Sequence, residues 1–417
     1  MPIFVAILNP TGRMSEENLQ LIQELIPYML IPVINAVVGW GTNWLALKMT
    51  FYPLEFQGIP PYLGWQGIIP SKAAHMAKKS VDMLTEYLID KVELFEQMEP
   101  KRVSNEMEAE IRRLSDKIID EVMLAQAPLL WRSLPKQAKK RVYAKASEDI
   151  PSIVTEMMSD IKENIDELFD VQTMVVEILI SNKQLLNDIF EECGKEEFKF
   201  IERSGIYFGF SLGTIQALLW YFFPYEIILP AFGVLVGYAT NSIALKIIFW
   251  PLNPIKVGPW ELQGLFMKRQ QEVSEIYSTI VAENILTMPN IFDTITRGNK
   301  MEKLTQIIRF HIDFAAEEAI GSSKQVVMTL TGDKVEIAKN IATYRFMEEL
   351  PISIRKVFDY AQEALAIEET LISKMKQLSP EEFEGFLHPV FQEDETKLIL
   401  VGAALGGLAG TAQILMF

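Results

Sequence analysis

Four strongly apolar blocks alternate with long stretches in which apolar and charged residues mix. In chain order, the blocks cover residues 27–49, 205–223, 225–249 and 398–417. A helix needs about 20 consecutive apolar residues to cross a bilayer, and each block has about this length. The pattern therefore predicts four transmembrane helices, with an amphipathic segment, 1–26, before the first of them.

The two long stretches between the blocks, 51–203 and 251–397, have the pattern of helices in water. Apolar residues recur there at spacings of three or four, as in Val103, Met107, Ile111 and Leu114. Such a stripe lies on one face of a helix. Ser379-Pro380-Glu381-Glu382 predicts a helix start, with a capping Ser and a Glu three residues later. No sustained alternation indicates a sheet, so we predict an all-α fold in which both stretches form an extramembrane helical bundle.

Pro and Gly residues follow the first and third blocks, in 58–67 and 257–264. These residues disfavour a helix, while Trp65 and Trp260 suit the head-group region of a membrane. We predict that both segments lie along the membrane interface as simple anchors. A lip that contacts lipid is the alternative.

Two motifs each occur twice, and the two copies are separated by almost the same number of residues in both cases. The copies of the first motif, Gly-x-x-Thr-Asn-x-x-Ala-x-Lys, are 39–48 and 237–246. The second motif has three glycines spaced by four, followed by Gln216 in one copy and by Gln413 in the other. Agreement of two separate motifs at nearly one period predicts a tandem duplication.

The duplication divides the chain into repeat 1, residues 27–223, and repeat 2, residues 224–417. Each repeat holds two predicted spans, so both repeats enter the membrane from the same side and are parallel, related by a pseudo-two-fold axis along the membrane normal. Basic residues cluster at the span ends that face the long stretches, namely Lys48, Lys195, Lys199, Arg203, Lys246, Lys256 and Lys397. This one-sided charge predicts that the long stretches are cytoplasmic.

The repeated polar residues of the first and third spans are the first candidate site. They are Thr42, Asn43 and Lys48 in repeat 1, and Thr240, Asn241 and Lys246 in repeat 2. An amide inside an apolar helix is costly unless it has a partner. The asparagines therefore either bond between helices and fix their register, or mark a polar path or a lipid head-group site near the axis. The two lysines either extend to the interface or bind lipid phosphate there.

Eight glycines form the second candidate group, and we predict that they are helix-packing residues. They are Gly39, Gly205, Gly209 and Gly213 in repeat 1, and Gly237, Gly402, Gly406 and Gly410 in repeat 2. Glycines spaced by four leave a stripe without side chains, on which another helix can approach closely.

Composition argues against several classes of function. The net charge of -16 is unfavourable for binding nucleic acid, whose phosphates need a basic face. The single cysteine, Cys193, rules out an internal disulfide framework, and the three histidines are far apart in sequence. No phosphate loop, zinc-type His-Glu-x-x-His or Gly-x-Ser-x-Gly motif occurs. We therefore predict no catalytic residue, no metal and no cofactor, and a protein that is not an enzyme.

The motifs together resemble a bacterial membrane protein family of unknown function, typified by the YheB-like and YjiN-like proteins. The resemblance rests on the repeated Gly-x-x-Thr-Asn motif, on the segment 199–210 and on the segment 389–395 before the last span. It covers nearly the whole chain. It implies a multi-pass protein of the bacterial cytoplasmic (inner) membrane, and it carries no established activity.

Two functional hypotheses remain open from the sequence. The first is a non-enzymatic, membrane-anchored helical scaffold or envelope-organising protein, whose bundle binds a protein partner. The second is a conduit or carrier for lipid or a small solute through the duplicated spans and the bundle. A conduit should leave an apolar groove or tunnel, whereas a scaffold should close its apolar stripes. The bilayer is the predicted partner in both, with lipid head groups as a further candidate; the oligomeric state stays open.

Overall fold

Helices form most of the fold in the computed structural model, which describes residues 16–59, 63–146, 148–320 and 334–415. The predicted all-α class is confirmed. In the first half, the helices are α1 Glu16–Phe51, α2 Ile68–Ser71, α3 Ala73–Met83, α4 Lys91–Glu96, α5 Pro100–Gln126, α6 Pro128–Ser133, α7 Lys136–Ala146, α8 Ile150–Glu163, α9 Ile165–Leu168, α10 Val171–Ser181, α11 Lys183–Cys193 and α12 Lys195–Phe222. A π-helical turn, Leu84–Leu88, follows α3.

The second half continues this order of elements. Its helices are α13 Ile228–Phe249, α14 Leu265–Lys268, α15 Gln270–Asn284, α16 Met288–Ile295, α17 Gly298–Ile320, α18 Lys334–Ser353, α19 Phe358–Leu365, α20 Ile367–Lys376 and α21 Pro380–Ile414. A 3-10 turn, Ile354–Val357, joins α18 to α19. The predicted start of α21 is confirmed: Ser379 and Glu382 each bond the other's backbone N–H, which satisfies two donors at the helix end.

Two short β-hairpins accompany the helices of this all-α fold. Strands β1 (Gln57–Ile59) and β2 (Leu63–Trp65) pair antiparallel, as do β3 (Ile255–Val257) and β4 (Trp260–Leu262). The hairpins lie in the segments predicted to run along the interface. Strands of three residues are too short for a hydrophobic alternation to appear in the sequence. The Pro and Gly residues that disfavour a helix here are therefore compatible with a hairpin.

Three described helical segments are long and apolar enough to cross a membrane: Tyr28–Phe51, Ile228–Phe249 and Glu395–Ile414. They correspond to the first, third and fourth predicted spans. The second predicted span, 205–223, lies almost entirely within α12, where glycines, Gln216 and aromatic residues with polar tips lower the mean hydropathy. The helices also extend past the predicted limits, since α21 begins at Pro380 instead of near 398. Of the predicted segment 1–26, residues 1–15 lie outside the described part.

The chain folds into two compact units, each built from both predicted repeats. Unit 1 comprises the described parts of Met1–Ser80, Leu179–Tyr277 and Met375–Phe417; unit 2 comprises Val81–Ile178 and the described parts of Ser278–Lys374. In unit 1, α1 packs along α12 and α13 packs along α21, and α12 also contacts α13.

The core of unit 2 is formed by α5, α8, α17 and α18. The stripe predicted on α5 is buried there, because Val103, Met107, Ile111 and Leu114 all face the interior. Further along α5, Ile118 is only half-buried. The stripe thus changes from packed to partly open along the same helix, at the place where unit 2 contains a cavity.

Candidate functional site

The predicted glycines bring helix backbones into direct contact in unit 1. A Cβ atom on Gly39 would lie 2.4 Å from the carbonyl oxygen of Gly205, and one on Gly209 would lie 2.3 Å from that of Asn35. The other helix pair repeats this arrangement, with 2.1 Å from Gly237 to the carbonyl oxygen of Gly402. No side-chain carbon fits at such distances. All eight predicted glycines lie at contacts of this kind, where at least one backbone or amide atom would lie within 3 Å of an added Cβ.

The repeated asparagines are buried in the same helix contacts. The side-chain nitrogen of Asn43 donates to the carbonyl oxygen of Ile201 on α12, at 2.7 Å, while its side-chain oxygen has no hydrogen-bond partner. Asn43 and Asn241 line one small cavity of about 20 Å³, together with Ile201 and Leu245. The two repeats therefore place their asparagines around a common point, and the bond of Asn43 goes to a backbone carbonyl.

The other repeated polar residues serve their own helices or face outward. The hydroxyl of Thr42 donates to the carbonyl oxygen of Gly39, and that of Thr240 donates to the carbonyl oxygen of Gly237. Lys48 and Lys246 are both exposed. The Lys48 ammonium lies over the ring of Tyr52, 5.2 Å from its centroid. These contacts leave the lysines accessible at the span ends.

A ring of three buried amides links the two predicted repeats and was not among the predicted site residues. Asn35 donates to Gln216 at 2.6 Å, Gln216 donates to Gln413 at 3.3 Å, and Gln413 donates back to Asn35 at 3.4 Å. Their exposed fractions are 3%, 0% and 1%. Gln216 and Gln413 occupy equivalent positions in two apolar helices, and this pattern in the sequence indicates buried polar contacts. Asn35 gave no such signal, because Gly233 occupies the equivalent position.

Charged side chains and the single cysteine lie close together near the start of α12, before its apolar part. Glu197 is buried and accepts a 2.6 Å hydrogen bond from Arg269, which also binds Glu272. Burial raises the pKa of Glu197, and the hydrogen bond from Arg269 opposes this rise. Burial likewise raises the pKa of Cys193 to about 12. This thiol is therefore protonated at neutral pH and is a poor nucleophile.

Unit 2 contains an apolar cavity of about 780 Å³ between α5, α7, α8, α17 and α18. A second apolar cavity, of about 100 Å³, adjoins it and shares five lining residues, namely Ile111, Val154, Met157, Ile308 and Phe346. Ser115, Arg141, Lys145, Asp149 and His311 supply the polar part of the larger cavity's wall. Ligand sites of small molecules span about 300–1,000 Å³, so the larger cavity has the size of a binding site.

His311 is the buried polar group of this cavity wall. Its Nε2 lies 2.8 Å from a carboxylate oxygen of Asp160, whereas its Nδ1 is buried and has no hydrogen-bond partner. The carboxylate holds Nε2–H as a donor, which leaves Nδ1 as an acceptor in the neutral ring. Within the described residues, no group of three or more His, Cys, Asp or Glu side chains is placed to hold a metal ion.

Comparisons with known proteins find bacterial relatives that cover parts of the chain. A UPF0754 membrane protein of Bacillus mycoides is 22% identical over 209 residues, 44% of this chain and 54% of that protein. One of Shouchella clausii is 36% identical over 64 residues, covering 15% of this chain and 17% of that protein. One of Synechococcus elongatus is 25% identical over 91 residues, covering 21% and 22%.

The chain thus matches between about a sixth and about half of the length of these relatives. No family model matches it, and no solved structure does. The names of the relatives state a membrane protein and no activity. Together with the three long apolar helices, these relatives identify the chain as an integral membrane protein related to bacterial UPF0754 membrane proteins.

Proposed function

We propose that this chain is a non-enzymatic, membrane-anchored helical scaffold, in which unit 1 holds the protein in the bilayer and unit 2 presents helices to a protein partner. One observation carries the proposal: glycine backbones fill the α1–α12 and α13–α21 contacts of unit 1, with would-be Cβ distances of 2.1–2.4 Å at Gly39, Gly209 and Gly237. Helices packed this closely have no side chains to line a path between them. A closed contact suits an anchor better than a conduit through the spans, whereas the open apolar stripe and its cavity lie in unit 2.

The anchor has four spans in two parallel tandem repeats. Two observations support this layout beyond the three long apolar helices. The second predicted span, in α12, packs along α1 as α21 packs along α13. The glycine contact between Gly39 and Gly205 also recurs between Gly237 and Gly402 at the predicted period. The domain limits of the proposal are the predicted repeats, 27–223 and 224–417.

The proposed location is the inner membrane of a bacterium, with the long stretches in the cytoplasm. The basic residues at the ends of the spans support this orientation, and the bacterial relatives support the location. We also propose that the chain is similar to the YheB-like and YjiN-like proteins.

Reporter fusions test the orientation. We expect alkaline phosphatase to be active when fused after Phe417, and green fluorescent protein to fluoresce when inserted between α6 and α7, because the two sites lie on opposite sides of the membrane. Exchanging the two reporters should abolish both signals and serves as the control. Fluorescence from the C-terminal fusion, with phosphatase activity at the inserted site, would reverse the proposed orientation.

A lipid-scrambling assay separates the anchor from the conduit. The full chain is reconstituted in vesicles that contain a fluorescent phosphatidylcholine, and dithionite bleaches the fluorescent lipid of the outer leaflet. We expect the bleached fraction to equal that of protein-free vesicles. A scramblase reconstituted at the same protein-to-lipid ratio is the positive control. Bleaching that rises with the amount of this chain would overturn the anchor proposal and favour the conduit.

A further inference from the structure

We propose that the large cavity of unit 2 binds one acyl chain of an anionic phospholipid taken from a bilayer surface. The inference goes beyond the anchor proposal, since it assigns a ligand to unit 2 alone. It rests on the shape and chemistry of the cavity wall, on the cations at that wall, and on two exposed leucines of α6, the helix that precedes α7 in the chain.

The wall of the cavity fits a hydrocarbon chain. Isoleucine, valine, methionine and alanine side chains of five helices line it, and the smaller apolar cavity adjoins it at Met157 and Ile308. Apolar side chains of such a wall are more stable against hydrocarbon than against water. A flexible chain of methylene groups restores those contacts and removes its own apolar surface from water, at about 25 cal/mol per Å².

The cations of the wall select an anionic head group. Arg141 and Lys145 lie one helical turn apart on α7, and both line the cavity while remaining exposed to solvent. They belong to a run, 122–147, that contains six Lys or Arg residues and no Asp or Glu, although the chain as a whole carries a net charge of -16. A phosphate oxygen is the natural partner of Arg141, while Lys145 lies 3.9 Å from a carboxylate oxygen of Glu148 and Asp149 adds one carboxylate to the wall.

The source of the lipid follows from the helix before α7. Leu129 and Leu130 on α6 expose 86% and 58% of their surface and lie within this run, shortly before its first cation, Arg132. Exposed leucines beside lysines and arginines bind the surface of bilayers with anionic lipids, because the leucines insert among the acyl chains while the cations meet the head groups. The same structure therefore contacts an anionic bilayer and offers a cavity for one of its chains.

Photolabelling of the full chain in phosphatidylcholine nanodiscs tests the proposal. The probe is phosphatidylglycerol with a diazirine in one acyl chain, and stearic acid with the same diazirine is the second probe. Digestion and mass spectrometry locate the label. The measured quantity is the ratio of label on α8 and α17 to label on α1 and α13. We expect the phosphatidylglycerol probe to label α8 and α17. Label confined to α1 and α13, or label on α8 and α17 from stearate alone, would overturn the proposal.

Two pairs of variants tie the label to the cavity. Ala342 lines the cavity, so Ala342→Trp should fill it and lower the ratio at least about fivefold, since excluding two methylene groups already costs about tenfold in affinity. Ala144→Trp, on the exposed part of α7, should leave the ratio unchanged. Equal ratios for both variants, with equal melting temperatures, would show that the label does not report the cavity.

The head-group role has its own matched control. Arg141→Glu with Lys145→Glu should lower the ratio about two- to tenfold, the range expected for two partly exposed charge pairs. Lys136→Glu with Lys140→Glu changes the net charge of α7 by the same amount at exposed positions that do not line the cavity. If both double variants lowered the ratio equally, the charge of the surface would explain the binding, and the cavity cations would have no specific role.

Discussion

Replacing Gly39 by alanine is expected to destabilise the protein by about 2–3 kcal/mol, although it adds a single methyl group to a helix. The new carbon would lie 2.4 Å from the carbonyl oxygen of Gly205 and 3.1 Å from its carbonyl carbon. Both are backbone atoms of α12, so no side-chain rotation relieves the overlap. The helices have to separate, and the contact between them loses dispersion energy along its length.

Gly41 provides the matched control two positions further along the same helix. A Cβ atom there meets nothing within 4 Å. Gly41→Ala should therefore be neutral or raise stability by up to about 1 kcal/mol, because alanine loses less backbone entropy in a helix. Unfolding of the purified protein in mixed detergent micelles measures both changes. Equal stability of the two variants would mean that α1 and α12 do not pack through Gly39.

The contact between α13 and α21 is packed in the same way as the contact between α1 and α12. A Cβ on Gly237 would lie 2.1 Å from the carbonyl oxygen of Gly402, which is closer than the 2.4 Å at Gly39. The period of the glycine motifs made this packing predictable from the sequence. A stripe of small residues in an apolar helix has few uses besides close approach, so the residue type itself indicates the contact.

Other features were out of reach because their signals are weak or depend on tertiary structure. The hairpins are too short for periodicity to detect. The predicted role of Asn43 left its partner open, and the observed partner is the carbonyl of Ile201, a group that every residue carries. The cavity of unit 2 was not predictable, since apolar residues such as Ile118 occur at the same helical spacing whether they face a helix or an opening.

The amide ring shows how a repeat can become asymmetric. Gln216 and Gln413 are equivalent residues that meet each other, and one further partner, Asn35, closes the ring. In the other repeat, Gly233 takes the equivalent position, where a Cβ would lie 2.2 Å from the carbonyl oxygen of Gly406. The close helix approach there excludes a second asparagine. Side-chain size at one position therefore decides which repeat supplies the third amide.

Gln216→Leu is expected to destabilise the protein by about 1–3 kcal/mol, because it leaves two partners unmatched in a buried site. Asn35 loses the acceptor of its 2.6 Å hydrogen bond, and Gln413 loses the donor to its side-chain oxygen. Thr214→Val is the control: it also removes a polar group from α12, but Thr214 is exposed and bonds only within its own helix, to Phe210. Its stability should change by less than about 0.5 kcal/mol.

Removing all three amides should cost less than the sum of the three single changes. Once Asn35, Gln216 and Gln413 are all replaced by leucine, no amide remains without a partner, and leucine has a branched shape that suits an apolar contact. Unfolding of the parent, the single variants and the triple variant in the same detergent micelles gives the coupling energy. Strictly additive losses would show that each amide acts separately, with water or a backbone group as its true partner. Coupling would show that the ring is one unit, which joins the two predicted repeats through hydrogen bonds where their glycine stripes end.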